Sequence, residues 1–278
     1  MADIKSTFVP QLWSARLQAH LDKSLVLGGL VNRDYEGEIR NAGDTVKINR
    51  VGPITINDYE IATDINYERI GGEQQILKID QQKYFAFTVD DIEKAQANVT
   101  LVDKAMDRAS YALRDTVDQR IASHSADAGT IMPAATFTDP VEVYDAIVSI
   151  GTALDEANVV RSGRWLVIPP WVYGMILKDD RFVAAGDGAA RTSLLTGQVG
   201  QAAGFTILMS NNLVADANAG TVNVMAGTNA AISMAYQVNK MESLRLEKQF
   251  GDGVRGLMVY GSKVIEPKAL VTLPAKKA

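Results

Sequence analysis

Cysteine is absent from this 278-residue sequence. The chain therefore has no disulfides, no thiolate metal ligands and no cysteine nucleophile. Histidine is scarce as well, since only His20 and His124 occur. A serine nucleophile usually needs a positioned histidine, and no serine lies in a Gly-x-Ser-x-Gly motif. The sequence therefore does not predict a serine hydrolase.

Nucleotide- and metal-binding motifs are also missing. Gly197, Gly200 and Gly204 lack the Gly-x-Gly-x-x-Gly spacing, and they precede an apolar segment instead of following one. There is no phosphate-binding loop, no His-Glu-x-x-His pattern and no calcium-binding loop. We therefore predict no catalytic residue, no cofactor and no metal site.

Long apolar runs and an excess of positive charge are both lacking. The most apolar stretch, WLVIPPWVYGMIL (165–177), contains two prolines and is too short to cross a bilayer. The first residues have no basic region followed by an apolar run, so we expect no signal peptide. The net charge of −5 argues against dedicated nucleic-acid binding, which usually needs a basic surface.

What the sequence does contain is a long amphipathic helix. Asp90 and Glu93 have capping-box spacing, so we interpret Asp90-Asp91 as a helix start and not as a pair of catalytic carboxylates. We predict a spine helix over 90–126, in which residues 92–126 span about 50 Å. Its apolar residues recur every three or four positions: Ile92, Ala95, Val99, Val102, Met106, Ala109, Leu113, Val117 and Ile121. A restart near Thr100 stays open, because Thr100 and Asp103 repeat the capping pattern.

The segment before this helix is predicted to form a two-strand ribbon over residues 44–89. TDINYERIGGEQQ (63–75) supplies the turn residues. On the returning strand, the odd positions from Leu77 to Val89 should share one face, which is apolar, then polar at Gln81 and Lys83, then apolar again. We interpret this as a strand that leaves its own core. Because an isolated ribbon is marginally stable, something else must cover it.

The N-terminal segment, residues 1–31, is predicted to form a helical arm. Trp13, Leu17, Leu21 and Leu25 recur at four-residue spacing, and Gly28-Gly29 ends the pattern. Two interpretations remain open. The stripe packs either on another chain or on the core of its own chain.

The second half of the chain alternates helices with short apolar strands, which indicates a mixed α/β unit. Helices are predicted in 140–159 and 171–182, and a short helix in TNAAISMAYQ (228–237). Short strands are predicted in 164–170, 205–211 and 221–227. The chain ends with a hairpin around Gly251-Asp252-Gly253 and a final strand, ALVTL (269–273).

Four segments in this order resemble the major capsid proteins of tailed bacteriophages: LVNRDYEGEIRNAGDTVKI, DQQKYFAFTVDDIEKAQ, GQVGQAAGFTILMSNNL and GVRGLMVYGSKVIEPKALVTL. They run from about residue 31 to residue 273. The resemblance implies the α+β capsid fold of that family and its parts. These parts are an N-terminal arm (1–31), a peripheral domain (32–138) with an extended loop (44–85) and a spine helix (90–126), an axial domain (139–238), and return strands with a final axial strand (239–278).

The resemblance also implies a function. The chain would be a structural subunit that assembles with itself, as pentamers and hexamers, into an icosahedral shell. The shell would form in the host cytoplasm and enclose double-stranded DNA without sequence specificity, and the resemblance allows scaffolding, portal and decoration proteins as further partners. The predicted subunit contacts are Trp13, Leu17 and Leu21 in the arm, and Tyr59, Ile61, Ile65, Tyr67 and Ile70 at the loop tip.

Two alternatives remain open. An encapsulin-like nanocompartment shell shares this fold and would hold an enzyme in place of DNA. A soluble α/β enzyme is the second alternative, and it would be a monomer in solution.

Overall fold

A computed structural model describes residues 26–35, 45–51, 55–56, 72–90, 100–179, 200–246 and 251–278. The helices are α1 (Thr100–Ser123), α2 (Pro140–Glu156) and α3 (Pro170–Ile176), and short 3-10 turns cover His124–Asp127 and Pro267–Ala269. The strands are β1 (Thr45–Val51), β2 (Gly72–Lys78), β3 (Gln81–Asp90), β4 (Thr130–Ile131), β5 (Ala135–Phe137), β6 (Trp165–Ile168), β7 (Gln201–Ala202), β8 (Phe205–Met209), β9 (Ala215–Asp216), β10 (Thr221–Gly227), β11 (Ile232–Arg245), β12 (Gly251–Val264) and β13 (Leu270–Lys277).

These strands form three sheets. β1 and β2 make an antiparallel pair, which we call the ribbon base. β11, β12 and β3 make an antiparallel three-stranded sheet in that order. The remaining eight strands make a mixed sheet of order β4-β13-β10-β6-β8-β7, with β5 beside β13 and β9 beside β10. The predicted α+β class is confirmed.

Helix α1 packs on one face of the three-stranded sheet. The predicted apolar stripe is buried in the described part of the helix at Met106, Leu113, Val117 and Ile121. It shares a core with alternate residues of β11 and β12, namely Met234, Tyr236, Met258 and Tyr260. The same core includes Trp165, Val167 and Met225 of the eight-stranded sheet. Helix α1 therefore ties the two larger sheets together.

The bounds of this helix differ from the prediction of 90–126. Asp90 is the last residue of strand β3 and is paired with Gly251, so a helix start at residue 90 is wrong. The α-helix ends at Ser123, and His124–Asp127 continue it as a 3-10 turn. Residues 91–99 lie outside the described part of the chain.

Helices α2 and α3 cover the other face of the eight-stranded sheet. The start predicted for α2 at Pro140 is confirmed, and a capping box fixes it. Asp139 Oδ1 accepts from the Val141 N–H at 3.2 Å, and Glu142 Oε2 accepts from the Asp139 N–H at 3.2 Å. The buried face of α2 (Val143, Ile147, Ile150 and Leu154) packs on Leu166, Ile168, Val224 and Ala226.

The short helix predicted over 228–237 is wrong, because strand β11 begins at Ile232. Met234 and Tyr236 pack on the α1 side, whereas Ala235 packs against the ribbon base on the other side. Because both faces of the strand are buried, the alternation of apolar and polar residues that marks a half-exposed strand is missing here.

The long ribbon predicted over 44–89 is also interrupted. β1 pairs with β2 only as far as Lys78, and the chain then passes through Ile79 and Asp80 into β3, which pairs with β12. The interpretation of a single strand face from Leu77 to Val89 is therefore wrong. Gln81 and Lys83 follow a change of sheet, and the paired part of the ribbon ends at Lys78.

The ribbon base is covered within the subunit, on the face of the three-stranded sheet opposite α1. Its inward side chains (Val46, Ile48, Leu77 and Ile79) are buried against Ala235 and Val259. A glycine permits this close approach. A Cβ at Gly261 would collide with the carbonyl oxygen of Lys78.

A short segment that precedes the ribbon crosses from α1 to the edge of β11, and we call residues 26–33 the strap. Asp118 of α1 is buried, and its carboxylate accepts a hydrogen bond from the Gly28 N–H and faces the N–H groups of Val26 and Leu27. Burial raises the pKa of the Asp118 carboxyl above its ordinary value, although the three amides and Arg114 oppose the shift.

Gly261→Ala should separate the ribbon base from the sheet. We expect a loss of about 1–3 kcal/mol in the free energy of unfolding, because β2 must move to accommodate the new methyl group. Urea denaturation followed by circular dichroism measures the loss. Gly174→Ala is the matched control. No atom lies within 4 Å of a Cβ there, and alanine is favoured in helices. Equal stability of the two variants would contradict the packing.

The Asp118 carboxyl should make stability depend on pH in a defined direction. Because its folded-state pKa is raised, the ionised form opposes folding at neutral pH, and this cost disappears as the pH falls through the folded-state pKa. The wild type should therefore gain stability relative to Asp118→Asn between pH 7 and pH 4. Each tenfold difference in the proton affinity of Asp118 between the folded and unfolded states corresponds to about 1.4 kcal/mol in the free energy of unfolding. Urea denaturation of both proteins at each pH measures this, and a constant difference would contradict it.

Candidate subunit-interface surface

The eight predicted contact residues lie outside the described part of the chain. They are Trp13, Leu17, Leu21, Tyr59, Ile61, Ile65, Tyr67 and Ile70. The structure does describe the elements to which these segments are attached. The strap includes the last residues of the predicted arm, 26–31, and the ribbon base carries the predicted loop tip between Val51 and Gly72. The eight contacts therefore stay predictions.

Beyond β1, the described part of the loop exposes an apolar side chain. Ile56 is 94% exposed. On the ribbon base itself, Val46 and Leu77 are buried while Ile76 is 40% exposed on the opposite face. The ribbon therefore has one face that its own subunit covers and another on which Ile76 is exposed to solvent.

A second exposed surface lies on the three-stranded sheet, beside the ribbon base and opposite α1. We call it the open sheet face, and it is a shallow cleft of about 530 Å³. Tyr84 is its most exposed large side chain, at 78%. It is lined by Tyr84, Ala86, Glu242, Arg255, Gly256 and Leu257. An ion pair crosses it, since Arg255 Nε donates to Glu242 Oε2 at 2.8 Å.

The open sheet face was not predicted, although the sequence contains a signal for it. In KYFAFT, Phe85 and Phe87 lie on one face of β3, where their rings stack with centroids 6.2 Å apart and pack on the α1 core. Tyr84 and Ala86 must then lie on the other face. The sequence therefore places a large aromatic side chain on the exposed face of the sheet.

An ion pair lies where the ribbon base joins the three-stranded sheet. Arg120 of α1 is 4.0 Å from Asp80, which lies in the two-residue link between β2 and β3. Both side chains are at least one-third exposed, so the pair contributes at most about 1 kcal/mol. The buried packing of the ribbon base therefore fixes its position more strongly than this pair does.

The exposed face of α2 and the turn that follows it form a third surface. Val148 is 42% exposed, and Val160 is 69% exposed. Asp155 stiffens this turn, because it accepts from Arg161 and from the buried Arg164, each at 2.7 Å. These two guanidinium groups hold the pKa of the Asp155 carboxyl below its ordinary value.

One cluster has the distances of a catalytic relay. His124 Nδ1 is 2.9 Å from Asp127 Oδ2, and His124 Nε2 is 2.8 Å from Ser262 Oγ. Ser262, however, is buried within the paired strand β12, where a substrate has no access to its hydroxyl. The neighbouring Ser125 carbonyl accepts from Thr272 Oγ1 at 2.8 Å. The cluster thus joins the end of α1 to both larger sheets.

Metal and membrane sites were tested over the described ranges. Within them, no three histidine, aspartate or glutamate side chains are grouped so that they could hold a metal ion. None of the helices in these ranges combines the length and apolarity that a membrane crossing requires.

The chain resembles known capsid proteins in sequence and in structure. The sequence model of the phage capsid protein family matches residues 72–273, which include α1 and both larger sheets. No curated protein matches the sequence. Among solved structures, a chain from Mycobacterium phage Che8 is 29% identical with a TM-score of 0.74, and the match covers 90% of this chain and 91% of that one.

Two more distant structures share the fold. The capsid of cyanophage P-SCSP1u is 18% identical with a TM-score of 0.69, and the match covers 90% of this chain and 86% of that one. A virus-like particle from Pyrococcus furiosus is 17% identical with a TM-score of 0.59, and the match covers 95% of this chain and 98% of that one. The tailed-phage capsid fold predicted from the sequence is confirmed. The chain belongs to the phage capsid protein family and is a structural subunit of the virion shell.

Proposed function

We propose that this chain is the major capsid protein of a tailed phage and forms pentamers and hexamers of an icosahedral shell around double-stranded DNA. The observation that carries this proposal is the apolar surface that one subunit leaves open. Ile56 on the loop and Tyr84 on the open sheet face are 94% and 78% exposed. Both side chains lie on elements that would face other copies in a shell, and the match of the phage capsid protein family over residues 72–273 supports that arrangement.

The arm and the loop are the proposed contacts between subunits. The loop, whose paired base ends at Lys78, would lie over an adjacent copy through Tyr59, Ile61, Ile65, Tyr67 and Ile70. The arm, residues 1–31, would contribute Trp13, Leu17 and Leu21. A few hundred Å² of apolar area per subunit is worth several kcal/mol at about 25 cal/mol per Å², before ordering costs.

The proposed domains follow the sheets. The peripheral domain would contain the ribbon base, α1 and the three-stranded sheet, and the axial domain would contain the eight-stranded sheet with α2 and α3. Because β11 begins at Ile232, we place the end of the axial domain near residue 231 and not at residue 238. Strand β13 returns to the axial domain, where it pairs with β10. The exposed Val148 and Val160 would then meet other copies around the fivefold and sixfold axes.

The role we propose is structural and not enzymatic, and the burial of Ser262 supports it. Assembly in the host cytoplasm and interactions with scaffolding, portal and decoration proteins belong to the same proposal. An encapsulin-like shell is the second candidate, because a particle from Pyrococcus furiosus shares the fold. The contents of purified shells, DNA or an enzyme, distinguish the two.

Shortening the loop should block assembly and spare the subunit. Val51 and Gly72 are paired, so an Asn-Gly turn can replace residues 52–71 and keep the ribbon base. We expect a soluble subunit with near-native circular dichroism, and negative-stain images without shells. A control in which Gly and Ser replace the same 20 residues keeps the length and removes the apolar contacts, and it should fail to assemble as well. Normal shells from the shortened chain, or global unfolding, would refute this role for the loop.

Purified subunits should bind duplex DNA weakly and without sequence preference. The net charge of −5 provides little attraction for phosphates, so confinement and weak contacts should hold the DNA inside the shell. A gel shift with two unrelated duplexes measures this, and binding should weaken further as salt rises. Tight binding of one duplex at physiological salt would rule out this mode of packaging.

A further inference from the structure

We infer that Asp118 is a latch that fixes the strap, and with it the point at which the first 25 residues join the subunit. This inference rests on the proposed role of the N-terminal segment as an arm between subunits. Asp118 lies on α1, outside the arm, and would position the arm through the strap.

One end of the strap is held by the carboxylate on α1. Asp118 is only 3% exposed, and its carboxylate faces the N–H groups of three successive residues, of which Gly28 N donates to Oδ1 at 3.3 Å. Within the same segment Leu27 is fully buried, and Val31 joins it in the core beneath α1.

The other end of the strap is held by the edge of β11. Asn32 forms a parallel bridge with Ser233, in which the Asn32 N–H donates to the Ile232 carbonyl at 2.9 Å and the Asn32 carbonyl accepts from the Met234 N–H at 2.9 Å. The Arg33 guanidinium donates to the Tyr236 hydroxyl and lies 4.7 Å from the centre of its ring. The strap is therefore attached to α1 and to β11 by independent contacts.

The chemistry of the latch favours a positioning role. A carboxylate is the side chain that can accept several N–H groups at once, and such charge-assisted bonds are stronger than neutral ones. Its burial carries a desolvation cost that an apolar residue would avoid. A carboxylate at this site is therefore better explained by the need to hold the three amides in one place than by stability alone.

Hydrogen exchange of three variants tests the latch. Asp118→Ala removes the acceptor, so strap amides should exchange about tenfold faster or more, while α1 and β11 keep their protection. Asp118→Asn keeps one neutral acceptor and should give a smaller increase. Asp115→Ala is the matched control, since that carboxylate accepts from Gln119 on the same helix, and it should match the wild type.

Two results would overturn the latch. One is unchanged exchange of the strap in Asp118→Ala, and the other is an equal increase throughout the subunit. If Asp118→Ala does not fold, Asp118→Asn decides the question. Faster exchange confined to the strap supports the latch, and wild-type exchange there refutes it.

Shell assembly tests the consequence of the latch separately. Deletion of residues 1–25 tests the arm itself, and normal shells from that variant would refute the proposed arm, while the exchange result would still decide the latch. If the deletion prevents assembly, Asp118→Ala should reduce the yield of shells towards the same level. Wild-type yields from Asp118→Ala would then show that the latch does not position the arm for assembly.

Discussion

The end of the β11–β12 pair that contains Ala235 and Val259 is buried on both faces, and the other parts of the subunit are arranged around it. On one face, Met258 and Tyr260 pack beneath α1. On the other, Val259 packs beneath the ribbon base, and Gly261 leaves space for the carbonyl of Lys78. A sheet covered on only one side would leave a long apolar surface in water. The base of the extended loop is therefore part of the subunit core, although the loop projects from it.

This arrangement separates the forces that fold the subunit from those that join subunits. The core residues of α1 and the hairpin are nearly inaccessible, so neighbouring copies cannot contribute to them. The exposed side chains, Ile56 and Tyr84, lie on surfaces that contribute little to the core. The contacts proposed on these surfaces would each be weak, but a closed shell would repeat them in every subunit. We therefore expect substitutions on these surfaces to affect assembly much more than folding.

The sequence predicted most of the helices and strands, but it missed the start of β11 and the change of sheet after β2. The stripe of α1 and the amphipathic helix α2 were found because polar residues mark their exposed sides. Strand β11 was mistaken for a helix at its start, because Ala235 is as inaccessible as Met234 and Tyr236 beside it. The change of sheet at Ile79 and Asp80 was missed because it depends on which strand β3 pairs with, and pairing between distant segments leaves no local pattern.

The contacts that hold the strap and the ribbon base also join distant segments, so they leave no local pattern in the sequence. Asp118 is 90 residues from the strap that it binds, and in sequence it is one of several acids on an amphipathic helix. Arg120, two residues further on, points to the opposite side of α1, since successive residues turn by about 100°. It lies near Asp80, in the link between β2 and β3.

Helix α1 thus contacts the strap on one side and the ribbon link on the other. His124 then joins its end to β12. A change in the position of α1 would therefore reach both segments that are proposed to contact other copies, so the helix is the element through which their positions can be coupled.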